Sequence, residues 1–423
     1  MRKTGRRARK EEMSAGRIEY IEAARQRLRS RRLRRTILLV VLVAAVVIYL
    51  TGVVNTSVMA LEDLADTVRI ALMPERGFPQ QTGTGAVYQV EQLGGSFVVL
   101  GEDGCAVYSH SGTKLNNIGT GYARPALAAG KNSFVLYNRS GSELRVESRT
   151  RELYSRQTDG DLYLCALSDG GQLAVVTDDV RKLVLVTVYD SSRTEELTWS
   201  LTTTEGIPMR MDFSPDGSQL AVATLTAQEG QVVSNLYLLN LRAGDPQLVT
   251  SESGSTPLDL EWLSNGRLLA VYDTHAALYG SDGSQLARRE FGGAAVAGLS
   301  AANGGLAVLF GSGQSSSVVL MDASLDIQYE GTVPTAHGIA RGSDAFYLLC
   351  DSSVECFGLD GTYQWTAAMS ARPQAMLANG GGLFVFTDNM VQRITPPEEG
   401  SSEAAVSSEE SDPAGSSAAS PAA

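Results

Sequence analysis

Met211-Asp212-Phe213-Ser214-Pro215-Asp216-Gly217-Ser218-Gln219-Leu220-Ala221-Val222-Ala223 reads as a strand, a tight turn and a second strand. Pro presets φ at the turn, and Gly accepts the positive φ that other residues avoid. The same unit recurs along most of the chain. Aligned on its first large apolar residue, the second strand begins at Phe97, Phe134, Leu173, Leu220, Leu268, Leu306, Phe346 and Leu383. The intervals are 37, 39, 47, 48, 38, 40 and 37 residues. Four strands of about five or six residues, joined by loops of about four, need roughly 40 residues. The period therefore predicts a four-stranded antiparallel blade.

The fifth unit displays the four pieces: 258–263, the turn Asn265-Gly266, 267–272, a third strand about 276–279, the turn Asp282-Gly283, and 285–290. Helical periodicity is absent from 86 to 395, where turn signals punctuate the chain throughout. One such blade has two apolar faces to bury, and radial packing removes both from water. The expected fold is all-β: a β-propeller of eight four-stranded blades, with seven as the alternative count. The last unit supplies strands at 375–377, 383–386 and 391–395 before Pro396-Pro397 ends it, so its outer strand is missing. The segment 78–85 precedes the first unit and is free to fill that place. The two ends of the domain are thus expected to meet in one blade.

The net charge of −12 hides an asymmetry. Residues 1–35 hold 14 Lys/Arg against 4 Asp/Glu, and the remainder holds 21 against 43. An acidic body argues against nucleic acid, whose phosphates demand cationic contacts. The basic arm (1–35) leads directly into Ile37–Val54, eighteen residues without a charge, thirteen of them Ile, Leu or Val. At about −0.4 kcal/mol each, these thirteen favour insertion by about 5 kcal/mol. Eighteen residues at 1.5 Å apiece cross a hydrocarbon core. The segment 36–54 is expected to be an uncleaved transmembrane signal anchor, the chain holding the membrane through 37–54. A cleaved signal peptide ending at Val58-Met59-Ala60 is the alternative, opposed by the length of the apolar run and of the basic region. The positive-inside rule then puts the N-terminus in the cytoplasm and the body outside the cell membrane. The arm itself reads either as a helix on an anionic inner leaflet or as a solvated positive segment that sets topology.

Residues 55–77 form a juxtamembrane connector, in which Met59, Leu61, Leu64, Val68 and Leu72 suggest a short amphipathic helix stopped by Pro74. The propeller is expected over 78–396. The tail 397–423, rich in Ser, Glu, Ala and Pro and lacking aromatics, is too poor in apolar residues to order itself.

Signs of chemistry are sparse. His110, His275 and His337 are far apart in sequence and read as loop or surface residues. There is no HExxH, GxSxG, P-loop or EF-hand pattern. Asp159-Gly160-Asp161 reads as a turn rather than a Ca²⁺ ligand set, and Asp178-Asp179 and Glu195-Glu196 as solvated hairpin charges. Trp199, Trp262 and Trp365 sit at different repeat phases or far apart and supply no common aromatic floor for a quinone cofactor. Asn138-Arg139-Ser140 fits a glycosylation sequon weakly. Cys350 and Cys356 could face each other across a hairpin; two buried small hydrophobes is the blander reading, and Cys105 and Cys165 have no nearby partner. No catalytic, cofactor-binding or metal site, and no cofactor, is assigned.

Ser214–Ala221 resembles the turn of TolB-like and WD40-like propellers, although the dipeptides that define true WD40 repeats are absent. Leu359-Asp360-Gly361-Thr362-Tyr363-Gln364-Trp365 looks like the turn of quinoprotein-like repeats. The whole plan of basic arm, single span, eight-unit propeller and acidic tail resembles the membrane-anchored propeller proteins grouped as DUF5711. The resemblance implies a fold and a place and brings no activity. Two functions are carried forward. The first is a non-catalytic, extracytoplasmic binding or scaffold module for a protein or cell-envelope component. The second is a small-molecule-binding or catalytic quinoprotein-like propeller that uses its central channel.

Overall fold

The computed structural model describes residues 54–302, 304–311, 315–379 and 382–395. The basic arm, the apolar run up to Val53 and the tail from 396 lie outside the described residues. Among those described, no helix is long and apolar enough to cross a membrane.

Among the described residues the first element is the helix α1 (Val54–Ala71). It ends before Pro74, whose ring cannot continue a helix, as the short amphipathic helix expected there would. From Gln80 to Ile394 the described residues are strand, turn and loop, with the strands arranged as eight four-stranded antiparallel sheets. Blades 1 to 7 span 87–118, 125–157, 162–201, 207–253, 257–290, 296–333 and 338–368; blade 8 combines 375–394 with Gln80–Gln81. All eight aligned residues, from Phe97 to Leu383, fall in or at the start of second strands and are at most 3% exposed. The long interval after Leu220 comes from blade 4, where Gln219–Gln228 and Gln231–Asn240 form a ten-pair hairpin.

The opening stretch folds as its residues dictate. Phe213 pairs with Leu220 and Met211 with Val222. Gly217 takes φ +67° and donates its N–H to the Ser214 carbonyl at 2.8 Å. The Asp216 carboxylate accepts from Ser214 Oγ (2.7 Å) and from Ser218 N and Oγ (3.1 and 2.8 Å), which pins the turn. Asp282 with Ser284, and Asp360 with Thr362, repeat the device.

Burial follows the seams between blades. Eight apolar clusters form, one for each pair of neighbouring blades, including 8 with 1. The ring closes where the missing strand predicted: Gln80 pairs with Val391 and Gln81 with Met390. Thr82 N–H extends this pairing to the Asn389 carbonyl at 2.9 Å.

The reading of Cys350 and Cys356 as two buried small hydrophobes holds, and one sequence expectation fails. Cys350 and Cys356 do not face each other, because Cys350 N–H closes a tight turn onto the Ser353 carbonyl and Cys356 pairs with Tyr347. All four cysteines are free and buried. His275 is no surface residue: the third strand of blade 5 starts with it, and its side chain is fully buried.

Candidate functional site

Each blade's first strand faces the axis, as its contacts with the first strands of neighbouring blades show. An innermost strand is an edge, and its axis-facing N–H and C=O groups need partners. Polar side chains from the preceding blade supply them. Gln89 of blade 1 donates to the Leu127 carbonyl (3.0 Å) and accepts from Leu127 N (3.3 Å) in blade 2. Asp212 of blade 4 accepts from Trp262 N at 2.7 Å, and Arg210 Nε donates to the Leu258 carbonyl at 2.7 Å, both in blade 5. Ser300 accepts from Arg341 N (3.1 Å), and Gln374 accepts from Val87 N (2.7 Å) across the closing seam. His337 Nε2 bonds the Pro373 carbonyl at 3.2 Å. These groups sew the inner ring together.

The channel nevertheless holds an excess of acid. Glu91, Asp212, Asp259 and Glu261 all lie on first strands, from blades 1, 4 and 5. Burial pushes the Glu261 carboxyl up to about 8, and the charges of Asp259, Asp212 and Glu91 add to the shift. Burial likewise raises Asp212 to about 7, against the N–H groups of Trp262 and Phe213 that favour its charged form. Asp259 and Glu91 are raised by burial too, opposed respectively by the Leu260 N–H with Arg210 and by a hydrogen bond from Gln89. Crowded carboxylates in one low-dielectric space cannot all ionise cheaply. The far ends of these strands open into a cavity of about 560 Å³, whose charged lining is Lys131, Asp169, Asp212 and Glu261.

Asp212–Pro215 of the opening stretch and Trp262 line that cavity, but the three histidines, the other two tryptophans and the loop acids singled out in the sequence do not converge there. His110 sits at the closing seam, its Nε2 bonded to the Asn379 side chain at 2.9 Å and its pKa lowered by burial and by Arg393. His275 stacks on Tyr272 (4.5 Å between centroids) and bonds Thr274 Oγ1 through Nδ1. Trp199 packs on Tyr237, Trp365 on Tyr347, and Trp262 is buried in the seam of blades 4 and 5. Asp178 accepts from Asp161 N, and Asp179 from Arg181 N and Lys182 N, so both organise loops. Among the described residues, no group of three or more His, Cys, Asp or Glu is placed to hold a metal ion. The channel acids escaped the sequence reading. Their signal was present: a carboxylate at an otherwise apolar first strand, as in Met211-Asp212-Phe213 and Leu258-Asp259-Leu260-Glu261-Trp262.

The model of a family described as "Family of unknown function (DUF5711)" matches residues 77–394. No curated protein matches the chain in sequence. Solved structures share its fold at low identity. BamB from Moraxella catarrhalis is 12% identical with a TM-score of 0.50, covering 75% of this chain and 98% of its own. The C-terminal WD40 domain of Sif2 is 12% identical with a TM-score of 0.54, covering 76% and 99%. Sqt1 from Chaetomium thermophilum, bound to the N-terminus of the ribosomal protein L10, is 13% identical with a TM-score of 0.50, covering 74% and 97%.

Proposed function

Because the chain belongs to the family of unknown function DUF5711, and so inherits a fold without an activity, we propose that it is a binding or scaffold module, displayed outside the cell membrane by one N-terminal span. The observation that carries this reading is the use made of the inner ring. Gln89, Arg210, Asp212, Ser300, His337 and Gln374 bind the main chain of the next blade instead of gathering round one reacting atom. What such a ring offers is a broad face of loops held on a stiff frame, suited to a protein or a cell-envelope component. Sqt1 illustrates the general use, since a propeller of that architecture holds a protein N-terminus.

The anchor and the topology rest on the uncharged run Ile37–Val54 and the Arg-rich arm before it. Protease treatment of intact cells should degrade the propeller and spare an epitope placed before residue 30; the reverse pattern overturns the topology. For the binding role, crosslinking and capture of the tagged full chain from native membranes should recover one reproducible partner. That partner should be lost when the loops of one face are exchanged. Recovery independent of every loop exchange would overturn the scaffold.

One observation favours the second reading. The acidic cavity bordered by Asp212 and Glu261 suits a small cation such as an amine. A diamine that raises the melting temperature of the wild type, but not of Asp212→Asn, would move the function into the channel.

A further inference from the structure

Ile70 and Met73 pack against the buried apolar cluster of blades 1 and 2, which includes Leu115 and Ile118. Leu64, Val68 and Leu72 are 58%, 52% and 80% exposed. At about 100° per residue Leu64 and Val68 lie about 40° apart on α1, and Leu72 follows just beyond its last residue. Two large apolar side chains exposed on one stripe of α1, with Leu72 just past its end, form a surface that needs an occupant.

The sequence says which occupant fits. Val54, Leu61 and Val68 are spaced by seven, as are Ser57, Leu64 and Ala71, and the two sets stand three apart. That is an a/d pattern, with Glu62, Asp63, Asp66 and Arg69 at the remaining positions. A helix lying on lipid carries Lys and Arg on its polar face. Residues 54–71 carry three acids and a single Arg, so an anionic headgroup layer repels this helix. The apolar run Ile37–Val54 leads directly into α1, so two copies anchored by it present α1 at the same height and in the same direction. In-register parallel pairing needs that arrangement.

We infer that α1 pairs with α1 of a second copy as a parallel two-helix coiled coil, with Leu64 and Val68 in its seam. An isolated helix of this length is marginal. Confinement to a shared surface raises the effective concentration and makes up the difference. The parallel direction rests on the anchor proposed above; the exposed stripe does not.

Native Cys105, Cys165, Cys350 and Cys356 are all buried, so Leu64→Cys introduces an exposed thiol against a silent background. In the full chain in native membranes, a mild oxidant should join most Leu64→Cys chains into a species of twice the chain mass. Arg69→Cys, off the stripe, should do so at least tenfold less, and Val68→Asp added to Leu64→Cys should suppress the product about tenfold. Melting temperatures of the variants should match the wild type, since the altered side chains lie outside the propeller core. Equal crosslinking at both positions, no crosslinking at Leu64→Cys, or its attachment to a different protein would each overturn the pairing. Sedimentation reads the anchor separately: chains that stay soluble yet crosslink at Leu64→Cys retire the anchor and keep the helix pair.

Discussion

Between blades 3 and 4 the chain runs on with a short loop, and the seam is mostly aliphatic: Val176, Val186 and Val188 meet Leu220, Val222 and Leu239, with Phe213 beside them. Between blades 8 and 1 the partners come from opposite ends of the sequence, and the seam is aromatic. Phe97 lies 4.9 Å from Phe384, 5.4 Å from Phe386, 5.8 Å from Tyr108 and 6.4 Å from Phe78, centroid to centroid. The outer strand that closes blade 8 has two residues, whereas that of blade 4 has eight. Joining ends about 300 residues apart costs about 3–4 kcal/mol in chain entropy beyond a short loop. Two rungs of backbone pairing contribute little against that. Aromatic pairs add about 0.5–1.5 kcal/mol each beyond their burial. Where covalent continuity is absent, packed rings take its place.

This comparison can be broken most directly at its centre. Phe97→Ala should cost about 3–5 kcal/mol in denaturant unfolding. It should also release the clasp, seen as new proteolysis near Gln80. Leu220→Ala should cost about 2–5 kcal/mol and leave the clasp protected. Equal release by both would mean that closure is a property of the whole ring. The next effect contrasts the seams by pH. Glu261, raised to about 8 in the fold against an ordinary 4.5, binds its proton more tightly folded than unfolded. Its contribution is therefore fully present below about 4.5 and lost as pH rises through 8. Glu261→Gln should stabilise the protein by roughly 1–3 kcal/mol at pH 8 and hardly at all at pH 4.5. His110 at the closing seam runs the other way: its folded pKa is lowered, so the seam weakens as pH falls below the ordinary histidine range. Thermal melts from pH 4.5 to 8.5 would separate the two trends.

The parts of this fold that were legible in sequence are those fixed within a few residues. The Pro-Asp-Gly and Asn-Gly turns, the apolar start of each second strand and the period near 40 all report local geometry. Even the clasp was countable, because a unit with three strands demands a fourth. What failed depended on a shift of one or two residues or on bringing blades together. A strand starting at His275 instead of Ala276 carries that ring inside. The pairing of Cys350 and Cys356, left open by the sequence, is decided by a turn confined to Cys350–Ser353, which leaves both as buried free thiols. Glu91, Asp212, Asp259 and Glu261 lie up to 170 residues apart, and only the ring brings them to one channel.

Smaller effects sharpen the contrast between closure and continuity. Tyr108 Oη donates to the Gln81 carbonyl at 2.7 Å, stitching the clasp to blade 1. Tyr108→Phe keeps the ring in the aromatic seam and removes that one bond, so it should cost about 1 kcal/mol. The same reasoning applied to the contiguous side predicts less. The Asp216 turn joins strands adjacent in sequence, and the hydrogen bonds from Ser214 and Ser218 hold its carboxyl below the ordinary range. Its contribution is thus present above about pH 4 and lost as pH falls through the lowered value. Asp216→Ala should cost about 0.5–1 kcal/mol at pH 7. The loss should vanish in acid and leave the clasp closed, because a two-residue turn constrains only its own hairpin. Proteolysis near Gln80 in Asp216→Ala would show instead that strain in blade 4 travels round the ring, and the two seams would then have to be treated as one cooperative unit.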